Sequence, residues 1–466
     1  MRKMKALTIL SVAAMLTLSA CGGGNNNTSN GANTTESNTA SNTNTATEPA
    51  ANNTATEANT AAENEPAPTA IDLGGRTIKI SMWWDGMPKG ETAGEKASLA
   101  KIAELEEKYN MKLEFVNIPF DQYMDKFTTA VLAGEPMADI SIMEFKRAIA
   151  PIKQGLVLPL SDYTTADNDI NNEQKHVTKL PAINGAEYSF NTPGVSAVGL
   201  YYNRDLFKKL GLPDLQDLYN NGEWNWDKFL EVAKQATTDS NNDGKKDTWG
   251  YSGWPVDAAR HIGVTNGALF VNDSDLSLGF NNDNMKEALE FINTLYNKEN
   301  VVKVKSGNKM DWNETNTFKD GDVAMSMNYD WNMGDLTFEV GIVPNPAGPK
   351  FDGKHTFANA AQNGYFIPKG VKDPQVVYQI FEELQDIPAT EEYLGQDWLE
   401  SRFKNEADIK MAIEHVNGTG RLSVEEGVAD FPIFAIMDEI ILKNQSVAAT
   451  VEKHTQAGQA ALDKLK

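Results

Sequence analysis

The amino-acid sequence predicts an α/β fold in which parallel-rich sheets are flanked by helices. The main reason is that strand-like and amphipathic helix-like segments alternate along residues 76–143. The length of 466 residues suggests two or three domains. With 41% hydrophobic residues and 35 glycines, the composition is that of a globular protein and argues against collagen, a coiled coil or a polytopic membrane protein.

The first part of the predicted fold has the order β-α-β-α-β. Strands are expected at residues 76–84, 112–118 and 138–143, and helices at 92–109 and 121–132. Right-handed crossovers between such strands produce a parallel sheet, whose ligands bind beyond the carboxyl ends of the strands. In the sequence these ends are occupied by Trp83, Trp84, Asp85 and Glu144.

A second unit is expected to begin near Ser196. Further strands are predicted at residues 198–202, 323–327, 338–343 and 364–367, and helices at 226–236, 283–297 and 374–385. The rest of the chain is predicted to be mainly helical.

The first 20 residues have the pattern of a secretory signal peptide. Arg2, Lys3 and Lys5 precede an apolar stretch at 6–18, which is too short to span a bilayer comfortably. The sequence Leu18-Ser19-Ala20-Cys21 then resembles a bacterial lipobox, in which the cysteine carries fatty acyl groups such as palmitate and becomes the mature N-terminus. We therefore expect a lipoprotein anchored to the cell membrane through Cys21. An ordinary signal peptide and a buried free thiol are the alternatives.

Residues 21–70 are expected to form a disordered linker rich in Asn, Thr and Ala. From residue 22 to residue 70 there is no Ile, Leu, Val, aromatic residue, Lys or Arg. Such a segment cannot bury enough apolar surface to offset its conformational entropy. It would hold a folded domain clear of the membrane surface.

The composition also restricts cofactors and partners. Cys21 is the only cysteine, so the sequence excludes an intramolecular disulfide and a thiolate metal cluster. The formal net charge of −23 repels phosphate backbones, which argues against nucleic acid as a partner.

Several motifs occur in an order that resembles a known family. The two strongest are GLYYNRDLFKKLGL at 199–212, followed by Trp224-Asn225-Trp226-Asp227, and FKDGDVAM at 318–325. Weaker ones are AGE at 133–135, GLVLPL at 155–160 and FIPKG at 366–370. Together they resemble the extracellular solute-binding proteins (family 1) of carbohydrate ABC transporters, of the lipoprotein type.

This resemblance implies a two-lobed, periplasmic-binding-protein-like fold (Venus flytrap) with a hinge. Lobe 1 would comprise residues 71–197 and 357–387, and lobe 2 residues 198–356 and 388–466. Closure of the hinge would bury a solute and create the shape that the membrane permease recognises. The implied function is that of a lipid-anchored protein on the extracellular face of the cell membrane. It would capture a carbohydrate, in our interpretation an oligosaccharide, and deliver it to the transmembrane subunits of an ABC permease.

The segment 239–247, with the sequence DSNNDGKKD, is similar to most of an EF-hand-type calcium loop. Oxygen-bearing side chains recur at its first, third and fifth positions, and a glycine follows at the sixth. The predicted Ca²⁺ ligands are Asp239, Asn241, Asp243, the backbone carbonyl of Lys245, and Asp247. The twelfth position departs from the pattern, because it holds Gly250 where a bidentate Glu is usual. We expect a structural Ca²⁺, as in larger oligosaccharide-binding members of the family; a solvated acidic turn is the alternative.

Sugar recognition requires aromatic faces for the C–H surfaces of the rings and polar side chains for the hydroxyls. Strand alternation predicts that one of Trp83 and Trp84 points into the cleft. The predicted ligand-binding residues are Trp83, Trp84, Asp85, Glu144, Trp254, Asp257, Tyr329, Asp330, Trp331 and Asn363. For each of them a purely structural role is the alternative, such as a core tryptophan or a capping carboxylate.

No catalytic residues are predicted. The five histidines are scattered without a pair at metal-ligand spacing, and nucleophile-elbow, P-loop and dinucleotide-binding motifs are absent. Paired carboxylates could serve a glycosidase, but among 65 acidic residues such pairs carry no information. A surface-anchored glycan-degrading enzyme is therefore the alternative function, and a sensor of sugar occupancy is a variant of the transport function.

Overall fold

The computed structural model describes residues 71–164, 186–190, 196–359, 363–416 and 420–465. The predicted signal peptide, Cys21 and the predicted linker at 21–70 lie outside these residues. Within the described part of the chain, no helix is both long enough and apolar enough to cross a membrane.

The first sheet has four strands, which in spatial order cover residues 111–117, 76–82, 140–144 and 363–366. The central strand β1 (Arg76–Met82) pairs in parallel with β2 (Met111–Asn117) and β3 (Ile140–Glu144), as the alternating pattern predicted. The fourth strand, β9 (Asn363–Phe366), pairs antiparallel with β3.

The second sheet also has four strands. In spatial order they are β5 (Trp249–Tyr251), β6 (Val323–Tyr329), β4 (Val198–Asn203) and β7 (Val340–Val343). Strands β5 and β6 are parallel, whereas β4 runs antiparallel to both of its neighbours. A short parallel pair, β8 (Ala358–Asn359) with β10 (Arg421–Leu422), lies apart from both sheets.

Helices occupy most of the segments between the strands. The α-helices of the described residues are α1 Ala93–Lys108, α2 Phe120–Leu132, α3 Phe145–Lys153, α4 Arg204–Leu210, α5 Leu215–Asn220, α6 Trp226–Ala236, α7 Pro255–Thr265, α8 Asp283–Asn293, α9 Trp312–Thr315, α10 Pro374–Gln385, α11 Gln396–Glu400, α12 Glu406–Met411, α13 Ile433–Met437 and α14 Val447–Asp463. The bounds of α6 and α10 are those predicted from the sequence. Of the helix predicted at 283–297, the α-helical part ends at Asn293, and the chain then forms the π-helical turn Thr294–Lys298.

The motif GLYYNRDLFKKLGL forms the junction between β4 and α4. The Asn203 side chain caps the helix by accepting a hydrogen bond from the Leu206 amide at 2.9 Å. The helix ends at Gly211, whose φ of 67° lies in the region that favours glycine. Arg204, at the start of the helix, forms an ion pair of 2.8 Å with the buried Asp408. These residues of the motif therefore fix the start of α4, its end and its contact with Asp408.

Strand β4 is buried along its whole length. Leu200 belongs to the main hydrophobic core, which also includes Ile78 of the first sheet. Tyr201, on the opposite face of β4, belongs to a second core, where its ring stacks on Phe403 at 6.2 Å. Burial on both faces explains why the strand is a continuous apolar run.

Candidate ligand-binding site

The predicted ligand-binding residues lie at the carboxyl edges of the two sheets. Trp83 follows directly after β1, and Glu144 ends β3, where Asn363 of the antiparallel strand β9 pairs opposite it. In the second sheet Tyr329 ends β6, and Trp254 follows shortly after the parallel strand β5. These are the positions at which open parallel sheets bind ligands.

Seven charged side chains connect the two edges. This charge network consists of Glu144, Lys146 and Arg147 at the junction of β3 and α3, Asp257 and Arg260 on α7, and Glu425 and Glu426 on the 3-10 turn Val424–Gly427. Glu426 joins the two sides, since its carboxylate lies 2.6 Å from Lys146 Nζ and 2.5 Å from Arg260 Nη1. Arg260 also contacts Glu425 at 2.7 Å and Asp257 at 2.8 Å. The network thus ties α3, beside the first sheet, to α7, which follows β5 of the second.

The turn Val424–Gly427 packs directly against the backbone of α3. A Cβ atom at Gly427 would lie 1.7 Å from the carbonyl oxygen of Lys146, so no larger residue fits there. This close approach holds Glu425 and Glu426 within reach of the cations on both sides.

Burial and three cations set the electrostatics of the network. Burial raises the pKa of the Glu144, Asp257 and Glu425 carboxyls, and the neighbouring cations oppose this only in part. Burial also acts on Glu426, but the charges of Arg260 and Lys146 outweigh it and lower the pKa of this carboxyl to about 2. With four acids facing three cations, the network has no spare positive charge for an acidic solute.

Five aromatic rings form a continuous row at the edge of the second sheet. This aromatic row consists of Tyr329, Trp331, Trp312, Trp254 and Phe434. Tyr329 stacks on Trp331 at 5.5 Å, and Trp331 stacks on Trp312 at 6.5 Å. Trp312 meets Trp254 edge-on at 6.0 Å, and Trp254 packs against Phe434 at 5.9 Å. Trp331 is 49% exposed and Phe434 is 52% exposed, so apolar ring surface remains open to solvent.

A second cluster of rings lies at the edge of the first sheet. Trp83 is at its centre, with edge-on contacts of 5.3–5.4 Å to Trp84, Phe120 and Tyr123. Trp83 is half-buried, whereas Trp84 and Phe120 are exposed. The Arg147 guanidinium lies 4.4 Å from the centre of the Phe120 ring, which links this cluster to the charge network.

The polar residues predicted at the site differ in whether their hydrogen-bonding atoms already have partners inside the protein. Both carboxylate oxygens of the buried Asp330 are used inside the protein, since one accepts from the Trp331 amide and the other from the Ala197 amide and Trp398 Nε1. Asn363 is half-buried, and its Oδ1 has no hydrogen-bond partner among the described residues. Asp85 is exposed. Asn363 and Asp85 are therefore better placed than Asp330 to meet a solute hydroxyl.

Sequence reasoning missed Phe120, Trp312 and Phe434. Phe120 follows the carboxyl end of β2, so the rule that selected Trp83 could have found it. In sequence Phe434 lies between Ile433 and Ile436, which are both fully buried. Its own side chain is exposed and lies outside the apolar face of α13. For Trp312, on a helix of four residues, the sequence carries no such signal.

The segment predicted to bind calcium forms a tight exposed turn. The Asp239 carboxylate accepts hydrogen bonds from the Asp243 and Gly244 amides, and Asn241 Oδ1 also accepts from the Asp243 amide. Each of these oxygens keeps a second lone pair, and carboxylate and amide oxygens are the kind of ligand that Ca²⁺ prefers. A Cβ atom at Gly250 would lie 2.1 Å from the Ala233 carbonyl oxygen, which explains why no glutamate stands at the twelfth position.

The described residues contain no group of three or more His, Cys, Asp or Glu side chains arranged as a metal site. His261 is fully buried beside Tyr329, at a ring distance of 5.8 Å. Burial and the charge of Arg260 lower the pKa of His261 to about 3, so it is neutral at physiological pH.

The sequence profile of the bacterial extracellular solute-binding proteins matches residues 89–387 of this chain, which is more than half of it. A binding protein of Brucella abortus (strain 2308) is 23% identical over 304 residues, which span 63% of this chain and 67% of that protein. An arabinooligosaccharide-binding protein of Bacillus subtilis (strain 168) is 25% identical over 259 residues, 53% of this chain and 56% of that protein.

Solved structures of binding proteins share the fold. The GacH receptor of Streptomyces glaucescens, studied unliganded and with acarbose, has a TM-score of 0.59 at 18% identity, covering 84% of this chain and all of that one. An ABC substrate-binding protein of Listeria monocytogenes in complex with cycloalternan has a TM-score of 0.58 at 18% identity, covering 84% of this chain and 98% of that one. The chain therefore has the two-lobed binding-protein fold and belongs to the family of bacterial extracellular solute-binding proteins.

Proposed function

We propose that this protein captures a carbohydrate, in particular an oligosaccharide, and delivers it to the permease of an ABC transporter. The observation that carries the proposal is the pair of aromatic clusters at the carboxyl edges of the two sheets, which the charge network connects. Open rings such as Trp331 and Trp84 offer the apolar surface on which sugar C–H faces stack. A relative named for arabinooligosaccharide binding and neighbours solved with acarbose or cycloalternan support the same solute class.

The experiment is a thermal-shift screen of neutral mono- and oligosaccharides, followed by calorimetry and product analysis. A binding protein should be stabilised by one class of neutral oligosaccharide and release it unchanged after long incubation. Cleavage of the sugar would favour the alternative of a glycan-degrading enzyme. The absence of any stabilising carbohydrate would contradict the proposal.

We propose that Cys21 anchors the protein to the extracellular face of the cell membrane through acyl chains. The lipobox-like sequence at 18–21 and the family's extracellular location support this. Cys21→Ser is expected to shift the protein from the membrane fraction to the medium, as measured by fractionation and immunoblotting. Retention of the variant in the membrane fraction would contradict the anchor.

We infer that the turn at 239–247 binds a structural Ca²⁺. Because an ion that binds only the folded state stabilises it by RT ln(1+[L]/Kd), a hundredfold excess over Kd adds about 2.7 kcal/mol. Chelation should therefore lower the melting temperature of the wild type. Asp243→Ala should abolish this sensitivity, whereas Asp275→Ala, in another exposed turn, should retain it. If the wild type melts at the same temperature in calcium and in chelator, the segment is a turn that does not bind Ca²⁺.

A further inference from the structure

Phe434 lies outside the part of the chain that the family profile matches, residues 89–387. It is on α13, whose residues Ile433, Ile436 and Met437 are all fully buried. Phe434 itself is 52% exposed. A single exposed phenylalanine needs no explanation on its own, but this ring packs against Trp254 and so ends the aromatic row.

The inner rings of the row are held in place by the surrounding protein. Trp254 Nε1 donates a hydrogen bond of 2.8 Å to the Met310 carbonyl oxygen. Trp312 opens α9, which is capped by the Asp311 side chain through the Asn313 amide at 2.8 Å. A ligand that stacks on rings already fixed in this way loses little affinity to side-chain ordering.

The exposure along the row is greatest at two separated rings. Trp331 and Phe434 are about half exposed, whereas Trp312 and Trp254, which lie between them, are more buried. Three successive ring-to-ring steps of 6.5, 6.0 and 5.9 Å connect Trp331 to Phe434. Stacked rings contact each other at centroid distances of about 4.5–7 Å, so one sugar ring covers one aromatic ring. Only a chain of sugar rings can therefore cover both exposed ends.

We propose that Phe434 is a chain-length-determining contact, which stacks on a distal sugar ring of an oligosaccharide whose proximal ring lies on Trp331. The inference rests on the proposed function and extends it. The occupant of the exposed Phe434 face is the solute, because this face continues the row that ends at the carboxyl edge of the second sheet. The C-terminal part of the chain would thus set the preferred length of the solute.

The test is calorimetry of Phe434→Ala against linear maltodextrins and arabino-oligosaccharides of two to six units. In the series that the wild type binds, the variant should lose about tenfold in affinity for the hexasaccharide, which is about 1.4 kcal/mol. Its affinity for the disaccharide should change less than twofold. Phe434→Tyr, which keeps the ring, should restore the binding of long chains.

Leu442→Ala is the matched control, because this exposed apolar side chain lies on the same C-terminal part of the chain but is not one of the five rings of the aromatic row. It should bind both lengths like the wild type. Equal hexasaccharide affinity of Phe434→Ala and wild type would overturn the inference, and so would an equal loss for both lengths. Wild-type binding of neither series would also overturn the inference, whereas the absence of any stabilising carbohydrate in the thermal-shift screen would overturn the proposed function, so the two failures are distinguishable.

Discussion

Arg260→Met is expected to lower the free energy of unfolding by about 3–5 kcal/mol, the cost of removing one partner from a buried ion pair. Arg260 is 2% exposed and contacts Asp257, Glu425 and Glu426 at 2.5–2.8 Å. Without its charge these carboxylates remain buried, and Lys146 and Arg147 are the other cations of the charge network. The measurement is urea unfolding of the solute-free protein at pH 7.5.

Lys453→Met is the matched control. Lys453 also forms a 2.6 Å ion pair, with Glu439, but its side chain is 62% exposed. Exposed pairs contribute about 0–1 kcal/mol, so this variant should remain close to the wild type. An equal effect of the two substitutions would contradict the structural importance of the charge network.

The deficit of Arg260→Met, which is its free energy of unfolding subtracted from that of the wild type, should become smaller when the pH is lowered from 7.5 to 5. Without Arg260 the pKa values of the Asp257 and Glu425 carboxyls, already raised by burial, rise further, and that of Glu426 loses the charge that lowers it. The folded variant therefore binds more protons than the folded wild type and gains more stability on acidification. In the wild type, by contrast, the pKa of Glu426 is about 2, and its stabilising contribution is lost only as the pH falls from about 4.5 towards 2. Nearby His261 stays neutral between pH 7.5 and pH 5, since its pKa is about 3. A deficit that grows on acidification would contradict this account.

Local signals were sufficient for much of the fold. Helix α6 begins after Asn225, whose side chain accepts from the Lys228 amide, and α10 begins with Pro374, which suits the first helical position. Both starts were therefore predictable. The first strand ends at Met82 instead of the predicted Trp84, where its partner β2 also ends, and the Trp83 ring packs on Tyr123 at 5.4 Å. This packing depends on α2, a helix distant in sequence from β1, so local periodicity could not predict it.

The candidate site was predictable only where strand order determines it. The carboxyl-end rule located Trp83 and Glu144, because both follow from the order of the first elements. The connection of Glu144 to Glu426 through Lys146 depends on a turn almost 300 residues later in the chain, and nothing in the local sequence indicates it. Likewise, the aromatic loop at 329–331 suggested that Asp330 meets a solute, but its oxygens accept from Ala197 and Trp398. Long-range partners decide whether a carboxylate is available to a ligand.

Trp331→Ala is expected to weaken oligosaccharide binding at least ~30-fold, the effect of losing about 2 kcal/mol from a well-packed aromatic anchor. The ring is 49% exposed and stacks on Tyr329, which lies beside His261 at the charge network. A sugar ring on Trp331 would therefore lie near the junction of the two edges. Calorimetry with the oligosaccharide identified by the screen measures the loss.

The loss should be the same for short and long chains, in contrast to that of Phe434→Ala, because every bound chain would use the proximal ring. Leu132→Ala removes a 70% exposed apolar side chain at the far end of α2 and should leave affinity unchanged. Since Trp331 is half exposed, its truncation should change the melting temperature of the solute-free protein little. Reduced closure, measured by small-angle scattering with and without sugar, should accompany the loss of affinity. Unchanged affinity of Trp331→Ala would show that Trp331 is not part of the site. A preference of the wild type for single sugars would contradict an extended solute stacked along the aromatic row.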